Sequence, residues 1–206
     1  LARREVHKKT LFLSEMDTSF DSSDFLSRAS LVAPSDDSTG NDMSILVLPE
    51  DHGVIFVSDL ETASNPLTIP RYNIKGVYSV VDDWVDTKEQ FKFPPEVGHR
   101  ILVLEDESNS RIDAHFAESY EFMQLHLAQH GSVYVHCHAG ISRSVTLIMA
   151  FLMRRYGLTD LEALGFVREI RPESAPNSGF AKFLREYAQT LSSSAEWQNA
   201  RRLYAE

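Results

Sequence analysis

An α/β domain is the fold class this sequence predicts, with a central, mainly parallel twisted sheet of about five strands flanked by helices. Short β-rich apolar runs recur along the chain. Segments with apolar residues at helical spacing lie between them, and one such segment is apolar almost all round.

Residues 45–48 (ILVL) and 54–57 (VIFV) flank a turn sequence at 49–53 (PEDHG), which predicts a hairpin. Residues 75–81 (KGVYSVV), 101–104 (ILVL) and 132–135 (SVYV) supply three more strands. After Asp113, a good N-cap, Phe116, Tyr120, Met123 and Leu127 mark a helix that Gly131 ends. Residues 144–156 are almost wholly apolar, which predicts a central buried helix ended by Gly157. Thr159 and Glu162 form a capping box, and Pro172 closes the helix it opens. Phe180, Phe183, Leu184, Tyr187 and Leu191 repeat at helical spacing. Trp197, Ala200 and Tyr204 either extend that helix or form a short docked tail.

Composition divides the chain into three parts: an N-terminal extension over 1–43, a packed domain over 44–192 and a tail over 193–206. Residues 1–9 carry four basic residues and one acid, whereas 14–43 hold eight serines, seven acidic residues and one arginine. That stretch has few large apolar residues and reads as a linker or arm. With 206 residues, 43% of them hydrophobic, the chain can bury one core and is not wholly disordered. The net charge of -10 makes the chain a poor candidate for general nucleic-acid or anionic-membrane binding, while leaving room for a local basic site. The single cysteine excludes an intrachain disulfide framework and any Cys₂ or Cys₄ zinc site. The longest apolar run, 145–153, is too short to span a bilayer. The first residues do not read as a secretory signal. The first residue is Leu1 rather than Met, so a fragment or processed form is expected.

The chemistry is concentrated at 133–144 (VYVHCHAGISRS), between a predicted strand and the apolar helix. A tight loop in that place turns backbone N–H groups inward as a nest for an anion. The first turn of the following helix adds unpaired N–H groups and the positive end of its dipole. Gly140 permits the dihedrals and close approach that a nest requires. The same field stabilises negative charge on the sulfur of Cys137, at the strand end. Arg143 lies six residues after Cys137, and a loop of that size brings its guanidinium over the anion, where it can hold two phosphoryl oxygens. The implied chemistry is in-line attack of sulfur on phosphorus, followed by hydrolysis of a phosphocysteine.

His-Cys-x5-Arg-Ser between strand and helix resembles the signature of the cysteine-based protein phosphatases. HCHAGISRS is most similar to the dual-specificity branch, and to the loop of the mitogen-activated-protein-kinase phosphatases in particular. The likeness extends over 45–192 and includes 171–180 (RPESAPNSGF). It implies a protein-tyrosine-phosphatase-like fold, with Cys137 as nucleophile and Arg143 as phosphate clamp. Ser144 matches the hydroxyl that assists departure of the thiolate, and His136 the residue that orders the loop. His138, Ala139, Gly140, Ile141 and Ser142 match the residues that supply backbone N–H groups. A general acid is needed for the leaving oxygen. In this branch it stands about thirty residues upstream, on a loop after a strand. Glu105, Asp106 and Glu107 occupy that position, and aligning the Phe116 helix with its family counterpart selects Asp106.

The resemblance implies phosphorylated proteins as substrates, a cytoplasmic or nuclear setting, no metal or organic cofactor, and no nucleic-acid or membrane partner. Arg3, Arg4, Lys8 and Lys9 ahead of Leu11 and Leu13 resemble a docking motif for mitogen-activated protein kinases, beside the plainer reading of a solvated terminal helix. Plainer roles also stand for the site: Cys137 as an inert buried thiol, Arg143 as an ion-pair residue, Ser144 as an N-cap, Asn177 as a turn or cap residue. His136, Cys137 and His138 alternate on a strand and do not converge on a metal. With no second cysteine, oxidised Cys137 can be protected only by a backbone sulfenamide, an external thiol or a partner chain. A lipid phosphatase of this fold would carry lysines in the loop, and 138–142 has none. An RNA 5′-phosphatase would favour basic surfaces. A phosphoprotein-binding scaffold without turnover is the rival from another class, and retention of Cys137, Arg143 and an upstream Asp argues against it.

Overall fold

The computed structural model describes residues 31–32, 43–49, 53–128 and 131–204. The docking-like residues Arg3, Arg4, Lys8, Lys9, Leu11 and Leu13 lie outside them, as does most of the Ser/Asp-rich arm.

The elements run β1 (Leu31–Val32), β2 (Ser44–Val47), β3 (Val54–Ser58), α1 (Leu60–Ser64), α2 (Thr68–Tyr72), β4 (Gly76–Val81), α3 (Thr87–Gln90), β5 (Gly98–Val103), a 3₁₀ turn (Ile112–His115), α4 (Phe116–Leu127), β6 (Ser132–His136), α5 (Arg143–Tyr156), α6 (Asp160–Ile170), α7 (Ser178–Ser192) and α8 (Ala195–Tyr204). All five predicted strands form. Their sheet has the order β1-β2-β3-β6-β4-β5, with the two-residue β1 as a sixth strand at one edge. β2 and β3 pair antiparallel as the predicted hairpin, and β3, β6, β4 and β5 run parallel.

Period-two alternation feeds two cores, one on each face of the sheet. Ile55, Val57, Tyr78, Val80, Val133 and Val135 face one side with α4, α5, α6 and α7. Phe56, Val77, Val81 and Tyr134 face the other, with Leu60, Ile69 and Phe91. The apolar segment becomes α5, which buries twelve of its 14 residues and contacts α4, α6, α7 and α8. It ends at Gly157, whose φ of 70° is left-handed. The Thr159–Glu162 capping box forms as expected.

Asp113 does not cap α4. Its carboxylate is taken by Arg111, through bonds of 2.9 and 2.7 Å, and the helix is entered through the 3₁₀ turn instead. Residues 195–204 do not extend α7; they form the docked tail, which is helical and packs against α5 and α7. Ser194 Oγ accepts from Trp197 N at 3.1 Å and starts the separate helix α8.

The loops after β4, β5 and β6 all leave the sheet at the carboxyl ends of its parallel strands, where open α/β sheets place their sites.

Candidate active site

β6 ends at His136, and α5 begins at Arg143 after six intervening residues. Four consecutive carbonyls of the intervening loop are held from outside. Leu60 N donates to His138 O at 3.0 Å, and Ala175 N to Ile141 O at 2.9 Å. Between them, Arg171 Nη2 donates to Ala139 O at 3.2 Å and Nε to Gly140 O at 2.6 Å. In a trans peptide the N–H opposes the C=O, so the amides of residues 139–142 turn to the inner side of the loop. Amides so turned can line an anion nest, and the N-terminus of a 14-residue helix opens beside them. Gly140 has φ +67°, and a Cβ there would stand 2.5 Å from Ser58 O and 2.8 Å from Arg171 Nη2. Only glycine fits.

Cys137 is 1% exposed, and its Sγ lies 3.2 Å from Ser144 Oγ. Ser144 is not the N-cap of α5; that position belongs to Ser142, whose hydroxyl makes no capping bond. Ser142 Oγ instead donates to Asp106 Oδ1 at 2.7 Å and accepts from Asn177 N at 3.2 Å. Asn177 caps α7 through Oδ1, as its plainer reading expected, and its Nδ2 also donates to Asp106 Oδ1 at 2.7 Å. Both bonds fall on Oδ1. Asp106 Oδ2 stands 3.8 Å from Arg143 Nε. Glu105, Asp106 and Glu107 are all exposed, but the hydrogen bonds from Ser142 and Asn177 go to Asp106.

Arg143 is 3% exposed; Nη1 donates to Leu104 O at 2.9 Å and pairs with Asp82 Oδ1 at 2.9 Å. Its buried Nε has no hydrogen-bond acceptor among the described residues. A guanidinium fixed at one end, with a buried donor left over, is prepared to receive an anionic oxygen.

His136 lies under the loop, fully buried, and shares Ser79 Oγ with His99 at 2.7 and 2.9 Å. Burial pushes the His136 pKa down to about 3 and that of His99 to about 4, so both rings are neutral near pH 7. His138 points outward on the rim with Ala139, and Ile141 is half-exposed.

The sequence-predicted residues therefore meet: Cys137 with Ser144, Arg143 with Asp106, and Ser142 with Asp106. Asp82, Arg171, Ser79 and the amide of Asn177 were not anticipated. Each acts across the fold from another element, so no local spacing marks it.

The chain resembles known phosphatases in sequence and in fold. The family model described as "Dual specificity phosphatase, catalytic domain" matches residues 61–190. The chain is 28% identical over 137 residues to Dual specificity protein phosphatase 1 of Arabidopsis thaliana, covering 66% of this chain and 67% of that one. It is 42% identical over 93 residues to Tyrosine-protein phosphatase yvh1 of Schizosaccharomyces pombe, covering 45% of this chain but only 28% of the relative. The crystal structure of DUSP15 superimposes with a TM-score of 0.62 at 26% identity, over 80% of this chain and 96% of that structure.

Proposed function

The chain belongs to the dual specificity phosphatase family, and from that premise we propose that it dephosphorylates phosphotyrosine and phosphoserine or phosphothreonine in proteins through a phosphocysteine. The observation that carries this is the loop 137–143. Its carbonyls are held outward, its amides turn inward, and a thiol and a guanidinium stand at its two ends.

The phosphoryl group sits in the nest, with two oxygens against Arg143. Cys137 Sγ attacks phosphorus in line, the S–P bond forms and the ester P–O bond breaks. Asp106 gives its proton to the leaving oxygen. Because Oδ1 is occupied by Ser142 and Asn177, the proton rides on Oδ2. In the second step Asp106 accepts a proton from the attacking water, the P–O bond to that water forms and the S–P bond breaks. Ser144, 3.2 Å from the sulfur, donates to the departing thiolate. His136, neutral and buried, orders the floor of the loop and carries no charge in the cycle. The lone cysteine suits a cytoplasmic or nuclear setting, and the phosphoprotein substrates follow from the family.

An aryl phosphate assayed under burst conditions tests the reading. One equivalent of alcohol should appear ahead of phosphate, and acid quenching should trap phosphate on Cys137. Cys137→Ser should abolish both, and Asp106→Asn should lower kcat by about 100-fold or more. Turnover that survives Cys137→Ser, or an Asp106→Asn chain as fast as its parent with Glu107→Gln slow, overturns the assignment concerned.

A further inference from the structure

The loop after β4 reads Asp82-Asp83-Trp84-Val85-Asp86 and is pinned at both ends. Asp82 holds Arg143 at 2.9 Å. Asp86 caps α3 by accepting from Lys88 N and Glu89 N at 3.2 and 3.3 Å. A turn closed by Val85 N to Asp82 O, 3.2 Å, lies between. That turn buries Val85 and leaves Trp84 64% exposed. Burial drives the larger aromatic inward more strongly than valine, so this arrangement runs against the hydrophobic effect. Among the described residues the indole makes one ring contact. It meets the ring of His138 edge to face, with centroids 5.6 Å apart and an interplanar angle of 74°. His138 directly follows the buried Cys137 and is itself exposed, so its ring stands at the mouth of the loop that holds the sulfur.

In-line attack sends the leaving group away from the sulfur and out through that rim. The alcohol part of the ester therefore emerges beside an aromatic pair that is already ordered. Resting on the phosphatase reading above, we propose that Trp84 and His138 form a wall that contacts this alcohol part and selects aryl phosphoesters. In protein substrates the wall favours phosphotyrosine over phosphoserine and phosphothreonine. A tyrosine ring offers a flat face or edge to the indole and gains both burial and aromatic contact. A serine or threonine ester ends within the pocket, with at most a methyl group near the rim.

Binding decides this without requiring turnover. In the Cys137→Ser chain, calorimetry would compare a phosphotyrosine peptide, the same peptide with phosphothreonine, and inorganic phosphate. Trp84→Ala should weaken the phosphotyrosine peptide about tenfold, leave the other two within about twofold, and be largely reversed by Trp84→Phe. Equal losses on all three ligands, no loss on any, or a Cys137→Ser chain with no phosphotyrosine preference overturns the wall. Hydrolysis by the unsubstituted chain is measured in parallel. Selective binding without hydrolysis overturns the enzyme reading and supports the wall, whereas hydrolysis with unselective binding overturns the wall alone.

Discussion

Arg171 directs its guanidinium at the back of the phosphate nest. It is 1% exposed, bonds the carbonyls of Ala139 and Gly140, reaches Ser44 Oγ at 3.3 Å and pairs with Glu173 at 3.3 Å. A backbone cannot turn successive amides inward unless the opposing carbonyls find donors, and for the two central ones this side chain is that donor. Arg171→Lys keeps the charge but loses the planar fork that bridges two carbonyls. Such a variant should fold, bind orthovanadate more weakly and lose about tenfold in kcat/KM on an aryl phosphate. Arg171→Met, which strands buried carbonyls, should cost about 3 kcal/mol in urea unfolding. Parent-like vanadate affinity in the lysine variant would remove Arg171 from the account of the loop. Cys137, Gly140, Arg143 and Ser144 were legible because their spacing lies within one loop. Arg171 acts 31 and 32 residues away, and Asn177 reaches Asp106 across 71. Such pairings exist only after the helices have packed, so the run 171–180 could be matched to a family without revealing what its arginine does.

Among the elements, α5 shows most clearly how a pattern becomes structure. Its apolar residues surround the whole helix, and α4, α6, α7 and α8 meet it on successive sides. Gly157 ends it and admits the last of these partners. A Cβ at that position would stand 2.3 Å from the Arg201 backbone nitrogen, and Arg201 Nη1 donates to Gly157 O at 3.0 Å while pairing with Glu162. Gly157→Ala therefore meets both the left-handed φ and the closeness of α8. It should lower the unfolding free energy by at least about 1 kcal/mol and raise amide exchange along 195–204. Unchanged exchange there would show that α8 does not depend on this contact. The long elements were readable from period and caps. The helices α1, α2 and α3 were not, since four or five residues do not display a period of 3.6. β1 was hidden for the opposite reason: its two residues stand in a Ser/Asp-rich segment, and only their pairing with β2 makes them a strand.

At the scale of the whole molecule, five of the six strands and their mainly parallel run follow from the apolar pattern, but their order does not. β6, the last strand in the chain, inserts between β3 and β4, and no residue pattern along β6 announces which neighbours it takes. That insertion puts His136 in register with Ser79 of β4 and Ser58 of β3, and so buries a histidine at the centre of the sheet. The fold thereby acquires a pH dependence. His136 is held neutral, with its pKa lowered from 6.5 to about 3 by burial, and His99, across Ser79, is lowered to about 4 for the same reason. Burial lowers His126 as well. In the unfolded chain these rings take up protons below about pH 6.5, whereas the folded chain keeps His136 and His99 neutral until far lower. The unfolded state then binds more protons, and stability falls as pH drops through that window; it is fully present above pH 6.5. His136 alone accounts for about 2 kcal/mol of loss between pH 7 and pH 5. Urea unfolding at the two pH values should show the midpoint falling at constant m, and His136→Gln should flatten that dependence even though it lowers stability at pH 7. A midpoint that holds steady or rises toward pH 5 in the unsubstituted chain would mean that His136 is charged in the folded state. In that case it could not serve as the neutral floor beneath Cys137.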